Sequence, residues 1–172
     1  NANRPFIDID GAYSFRLIHL AALFNRIHFI KILVEFGADI SFKTTKLTTG
    51  YSQKSAFILA LHMHHYEAAV LLRQQNEPIQ LLTATNTDIN NFHFNIHRGP
   101  LETISAIIEL FPSIINRTHD GLSPLHRAVY TDNLEVTELL ITLGADINQT
   151  TLVNNSTKSI TPTDIAILRQ NV

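Results

Sequence analysis

The chain has 172 residues, 45% of them hydrophobic and 16% charged, with a net charge of -2 when histidine is neutral. That composition suits one folded domain and gives no bulk electrostatic attraction to nucleic acid or to an anionic membrane. Zero cysteines exclude a disulfide framework, a thiol nucleophile and a thiolate zinc site, and no apolar run reaches the length of a membrane span.

In chain order, the apolar periodicity predicts pairs of short helices. Leu17, Ile18, Ala21 and Ala22 share one helical side, followed by Ile27, Ile30, Leu33 and Val34, with Gly37 placed for a left-handed C-cap. A polar stretch, Lys43–Lys54, leads to Ser55-Ala-Phe-Ile-Leu-Ala60 and then Tyr66-Glu67 and Leu71-Leu72. The third pair is more degenerate: Asn90-Asn-Phe92-His93-Phe-Asn95, then Leu101-Glu102 and Ile107. The fourth is the clearest. Ser123 stands as an N-cap before Pro124 in the first turn, and Leu125, Ala128 and Val129 form the apolar side. Asp132-Asn133 break that helix, and Leu134, Val136, Leu139, Leu140 and Leu143 make the next, closed by Gly144. After a second polar stretch, Gln149–Ser159, Thr161-Pro-Thr-Asp-Ile-Ala166 begins a fifth unit.

These segments repeat one another. A shift of 107 residues lays His19, Ala21, Leu33 and Gly37-Ala-Asp-Ile40 on His126, Ala128, Leu140 and Gly144-Ala-Asp-Ile147. Shifts of 68 and 33 bring the second and third units onto the fourth. Asp120-Gly-Leu-Ser-Pro-Leu-His126-Arg-Ala128 and Gly144-Ala-Asp-Ile-Asn148 closely resemble the Thr-Pro-Leu-His-x-Ala and Gly-Ala-Asp-x-Asn signatures of ankyrin repeats. The resemblance implies an all-α ankyrin-repeat solenoid forming one domain over 1-172. Its units are expected near 10-42, 50-82, 86-116, 117-149 and a partial 157-172. A repeat cannot bury its apolar face alone, so stacking on neighbours supplies the core. Asn95, where the pattern wants a small residue, needs a hydrogen-bond partner or a local opening. Since Asn1 rather than Met opens the chain and the fifth unit stops after one helix, an excerpt of a longer protein is expected.

Nothing in the sequence makes a case for an enzyme. There is no phosphate-cradling glycine loop and no nucleophile elbow. Asp8 and Asp10 read as a turn or cap, and Asp39 and Asp146 as parts of the repeat's turn framework. In the resembling family, the histidines matching His19, His93 and His126 bond to the neighbouring turn. His62-Met63-His64-His65 has the look of a metal cluster, yet it straddles a helix end and a turn. The nearby Glu67 belongs to the next helix, so no metal and no cofactor are expected.

The resemblance implies a protein–protein interaction module that binds its partner through the concave face and the finger-loop tips. The matching positions are Tyr13, Phe15, Leu23 and Phe24 in the first unit and Tyr51, Lys54, His62 and Met63 in the second. The third supplies Ile89, His97 and Arg98, and the fourth supplies His119, Asp120, Leu122, Tyr130 and Thr131. Aromatics, Met and Arg are enriched at protein interfaces. Tyr13, Phe15, Leu23 and Phe24 either join that face or pack under a preceding segment. The two long polar stretches are either tolerated insertions or contact loops. The expected partner is another protein, with no nucleic acid, membrane insertion or small-molecule substrate. The alternative is the recognition arm of a larger enzyme or secreted effector. The expected location is the cytoplasm, which for a bacterial effector means that of a host cell.

Overall fold

The computed structural model describes residue 3 and residues 5-7, 14-44, 54-73, 83-152 and 159-170. Tyr13, Tyr51, Asp8, Asp10 and the middles of both long polar stretches lie outside the described residues. The chain divides into two compact bodies, Asn1–Pro78 and Ile79–Val172.

In the first body, strands β1 (Pro5–Ile7) and β2 (Ser14–Arg16) pair antiparallel, with Phe6 opposite Phe15. Two helical hairpins follow, α1 (Leu17–Leu23) with α2 (Ile27–Glu35), and α3 (Ala56–His62) with α4 (Tyr66–Leu72). First helix packs on first helix and second on second. Ile18, Ala21, Ala22, Ile30, Phe57, Leu59, Ala60 and Leu72 are fully or almost fully buried between them. Alanine at 21, 22, 60, 68 and 69 lets the helix backbones approach closely. The polar stretch before α3 is closed at its base, where Thr44 N–H donates to the Lys54 carbonyl at 3.0 Å and Lys54 N–H to Thr44 Oγ1 at 3.2 Å.

The second body contains α5 (Asn86–Arg98), α6 (Leu101–Leu110), a 3-10 turn (Pro112–Asn116), α7 (Pro124–Tyr130) and α8 (Leu134–Thr142). A short antiparallel pair, β3 (Thr151–Leu152) and β4 (Ser159–Ile160), then leads into α9 (Pro162–Gln170). Helix α7 packs against both α5 and α9. Phe92, Ile96, Ile104, Ile107, Leu110, Ile114, Ala128 and Leu140 form the buried apolar centre.

Turns repeat as faithfully as the helices. Asn25, His64 and Asp132 each take a left-handed φ of 50-56° between the two helices of a hairpin. In each case the next residue's N–H returns to the alanine carbonyl at position 21, 60 or 128. Gly37 and Gly144 close α2 and α8 with φ of 75° and 94°, the left-handed conformation that suits a residue without Cβ. The third hairpin differs. Gly99 is extended at φ -87°, as expected of a residue before proline, here Pro100. A Cβ added there would lie 2.1 Å from Asn95 Oδ1.

Candidate functional site

Three histidines on first helices bond to backbone beyond their own hairpins. The Nε2–H of His19 donates to the Phe42 carbonyl at 3.0 Å, that of His93 to Arg117 at 2.8 Å and that of His126 to Ile160 at 3.1 Å. Those bonds fix the tautomer and leave Nδ1 as an acceptor. It is satisfied by Arg16 N–H at 3.0 Å, by Arg127 Nε at 3.2 Å and by the Ser123 hydroxyl at 2.6 Å, respectively. Burial pushes the imidazolium pKa of His19 down and that of His93 down to about 4, so both rings are neutral near pH 7. The second repeat has Ile58 at this place and makes no such bond.

Around His93 the second body forms a groove. One wall is α5, where Asn90, Phe94 and His97 follow at helical spacing on one side. Residues 117-120 of the following segment and Arg127 of α7 complete the lining. The tip of that segment is a two-residue hairpin, with His119 and Leu122 exchanging backbone bonds at 3.0 and 3.1 Å. Asp120 and Gly121, at φ 52° and 77°, are its central residues, the type I′ geometry that Asp-Gly favours. Thr151 of β3 anchors the tip from behind by donating its hydroxyl hydrogen to the Gly121 carbonyl. The His119 ring lies 5.4 Å from that of His93. Its Nδ1 is 3.1 Å from Asp120 Oδ2 but outside hydrogen-bond alignment, which makes the contact an ion pair only when His119 is protonated. The floor adjoining the tip carries the amides of Asn86, Asn90, Asn116 and Gln149.

Of the residues singled out in the sequence, His97, His119 and Asp120 line this groove, as does Ile89 at its edge. Ile89 needs a correction. Matched in the sequence to the concave face and loop tips, it lies within α5 and is only 7% exposed. The helix begins a turn early because Thr85 and Asp88 cap it reciprocally, which converts the expected turn into helix. Arg98 is exposed and lines neither part of the groove, and Leu122 is half-buried in the hairpin. Tyr130 is exposed, but its carbonyl accepts from Arg169 of α9, whose guanidinium lies 5.3 Å from the Tyr130 ring. The Thr131 hydroxyl is turned inward to the carbonyls of Arg127 and Ala128.

The first body holds the others. Phe15 is half-buried beside the His19 ring, and Leu23 and the exposed Phe24 end α1. His62 and Met63 end α3, both exposed, while Lys54 sits at the loop base. His64 Nδ1 lies 3.2 Å from the Tyr66 hydroxyl and His65 Nδ1 lies 2.9 Å from the Ala22 carbonyl, so that cluster is tied into the fold. Among the described residues, no three His, Cys, Asp or Glu side chains are grouped to hold a metal, and no helix is long and apolar enough to cross a membrane.

Sequence reasoning missed Phe94, Arg127 and the amides of the floor. Phe94 carried a readable signal, an aromatic one turn from Asn90 on the polar side of α5.

Comparison with known proteins agrees with this architecture. Residues 120-152 match the family model of the ankyrin repeat. The chain is 30% identical over 102 residues to an ankyrin repeat protein of Rickettsia felis, covering 59% of this chain and 29% of that protein. It is 26% identical over 159 residues to ankyrin repeat protein B18 of Variola virus, covering 87% of this chain and 26% of that protein. The chain thus spans under a third of the length of these relatives. Repeats of this family serve generally as protein–protein interaction modules. The family-model match makes residues 120-152 an ankyrin repeat, and over the rest of its helical hairpins the chain is similar to ankyrin-repeat proteins.

Proposed function

We propose that the chain binds a partner protein, with the groove between α5 and the Asp120-Gly121 hairpin as its principal contact and the other turn tips and first-helix ends as supporting positions. The observation that carries this reading is Phe94, 64% exposed on a helix whose neighbours in the groove are Asn90, His97, His119 and Arg127. An exposed aromatic grouped with Asn, His and Arg side chains in one groove has the composition of an interface anchor. On this reading the four repeats and partial fifth act as a scaffold without catalysis, needing no cofactor, nucleic acid or small molecule.

The test is capture from eukaryotic and bacterial lysates on immobilised wild-type chain, on Phe94→Ser/His97→Ala, and on Phe29→Ser as a control in the first body. A protein held by wild type and control and lost by the groove variant supports the reading. The same proteins on all three surfaces would place the contacts elsewhere.

The short coverage of both relatives favours a second reading, in which these repeats are the recognition arm of a longer protein, enzyme or effector. Both relatives come from agents that multiply inside cells, which supports a cytoplasmic location, in a host cell for an effector. Activity that survives deletion of 1-172 from the longer protein but loses its target would support that version.

A further inference from the structure

We propose that the α5 groove takes an acidic peptide segment of its partner, with Arg127 as the carboxylate contact and Phe94 as the apolar wall. The inference rests on the reading of the groove given above and adds the chemistry of the occupant. Arg127 lines the groove, and its Nε is spent on His93 Nδ1 at 3.2 Å, which sets the orientation of the guanidinium. His93 donates its only N–H to the Arg117 carbonyl, so as a neutral acceptor it supplies geometry but no negative charge. Among the described residues, neither Arg127 nor Arg117 has a carboxylate within ion-pairing distance. The one carboxylate lining the groove, Asp120, stands exposed at the rim beside His119.

A neutral partner laid over this wall would strip water from a guanidinium and return backbone carbonyl acceptors but no compensating charge, a costly arrangement for a cation. A carboxylate returns a charge-assisted fork of hydrogen bonds from the two Nη groups, geometry that Arg offers and Lys does not. Phe94 beside it supplies apolar surface, and the Asn90 amide can meet an extended peptide backbone. Charge complementarity therefore selects an acidic residue next to an apolar one. A nucleic-acid polyanion is disfavoured, because the chain as a whole carries -2 and presents this positive surface only locally.

The experiment is selection of a displayed library of random peptides, about twelve residues long, on the whole chain, a length that spans the groove when extended. Recovered peptides are then measured by fluorescence anisotropy. Enrichment of Asp or Glu beside an apolar residue is expected. Binding should fall roughly tenfold or more in Arg127→Gln, as the loss of a hydrogen bond to a charged group predicts, be partly kept in Arg127→Lys, and be unchanged in Arg26→Gln. Circular dichroism and melting confirm that each variant is folded. Neutral or basic peptides that are lost in Phe94→Ser would overturn the acidic occupant while leaving the groove as a binding site. Acidic peptides indifferent to Arg127→Gln, or equally sensitive to Arg26→Gln, would overturn the contact assigned to Arg127. Recovery of no peptide above the starting library would overturn the proposal, whereas lysate capture lost in the groove variant would still uphold protein binding there.

Discussion

Asn95 stands where matching helices carry Ala21, Ala60 and Ala128, and it resolves the polarity problem internally by donating its amide to the Asn91 carbonyl at 2.7 Å. The resulting bulk is accommodated by Gly99, whose missing Cβ leaves room for the side chain. We expect Gly99→Ala to cost about 1-3 kcal/mol, as overpacking of a tight site does, and to cost much less once Asn95→Ala is present. A urea double-mutant cycle measures both, and additive effects would refute the coupling. Sequence showed the misfit of Asn95 but not its remedy, because a glycine before proline reads first as a turn breaker. His93 sets a second expectation. Its folded pKa is near 4 against an ordinary 6.5, so on acidification the unfolded chain takes up the proton first. Stability on this account is full above pH 6.5 and declines between 6.5 and 4, by at most about 1.4 kcal/mol per pH unit. His19 contributes in the same direction. Melting across that range should show a shallower slope in His93→Asn than in wild type.

Among the elements, α5 departs furthest from its counterparts. It has 13 residues where α1, α3 and α7 have 7 each. The additional turn follows from Thr85 and Asp88, whose side chains satisfy each other's backbone N–H groups. Thr85→Ala should cost about 1 kcal/mol in thermal or urea unfolding and loosen the first turn of α5 before the rest. Unchanged stability and amide protection there would show that packing of Ile89 alone holds the turn. The same Thr-x-x-Asp arrangement opens α9 at Thr161 and Asp164. In the fifth unit the likeness to ankyrin repeats made the helix start legible, whereas in the third the alignment with the 119-122 hairpin concealed it. Apolar periodicity was an imperfect guide on α2 as well. Ile30 is buried, but Val34, assigned to the same side, is 40% exposed, since a short helix in a stack covers only a narrow stripe.

For the molecule as a whole, the repeats were legible because most share the same joints: a left-handed residue between the helices of three hairpins, a left-handed glycine closing α2 and α8, and a histidine bond reaching beyond the hairpin from three first helices. The groove was legible only in part. His97, His119 and Asp120 follow from position in the repeat, whereas Arg127 enters through its bond to a histidine that sequence places in the framework. Nearest-neighbour packing also grades stability along the second body. Helix α9 rests chiefly on α7 and β4, whereas α7 is covered by α5, α8 and α9. Amide hydrogen exchange should therefore be at least about tenfold faster in α9 than in α7. Equal protection would show the body unfolding as one unit. The histidine joints also bear on mechanical load. The His93–Arg117 bond ties the start of one repeat to the repeat before it, not one helix to its own hairpin partner. Under tension the chain should part at that seam with its hairpins intact, and the force needed should fall as the pH drops below 6.5, where separation lets His93 take up a proton.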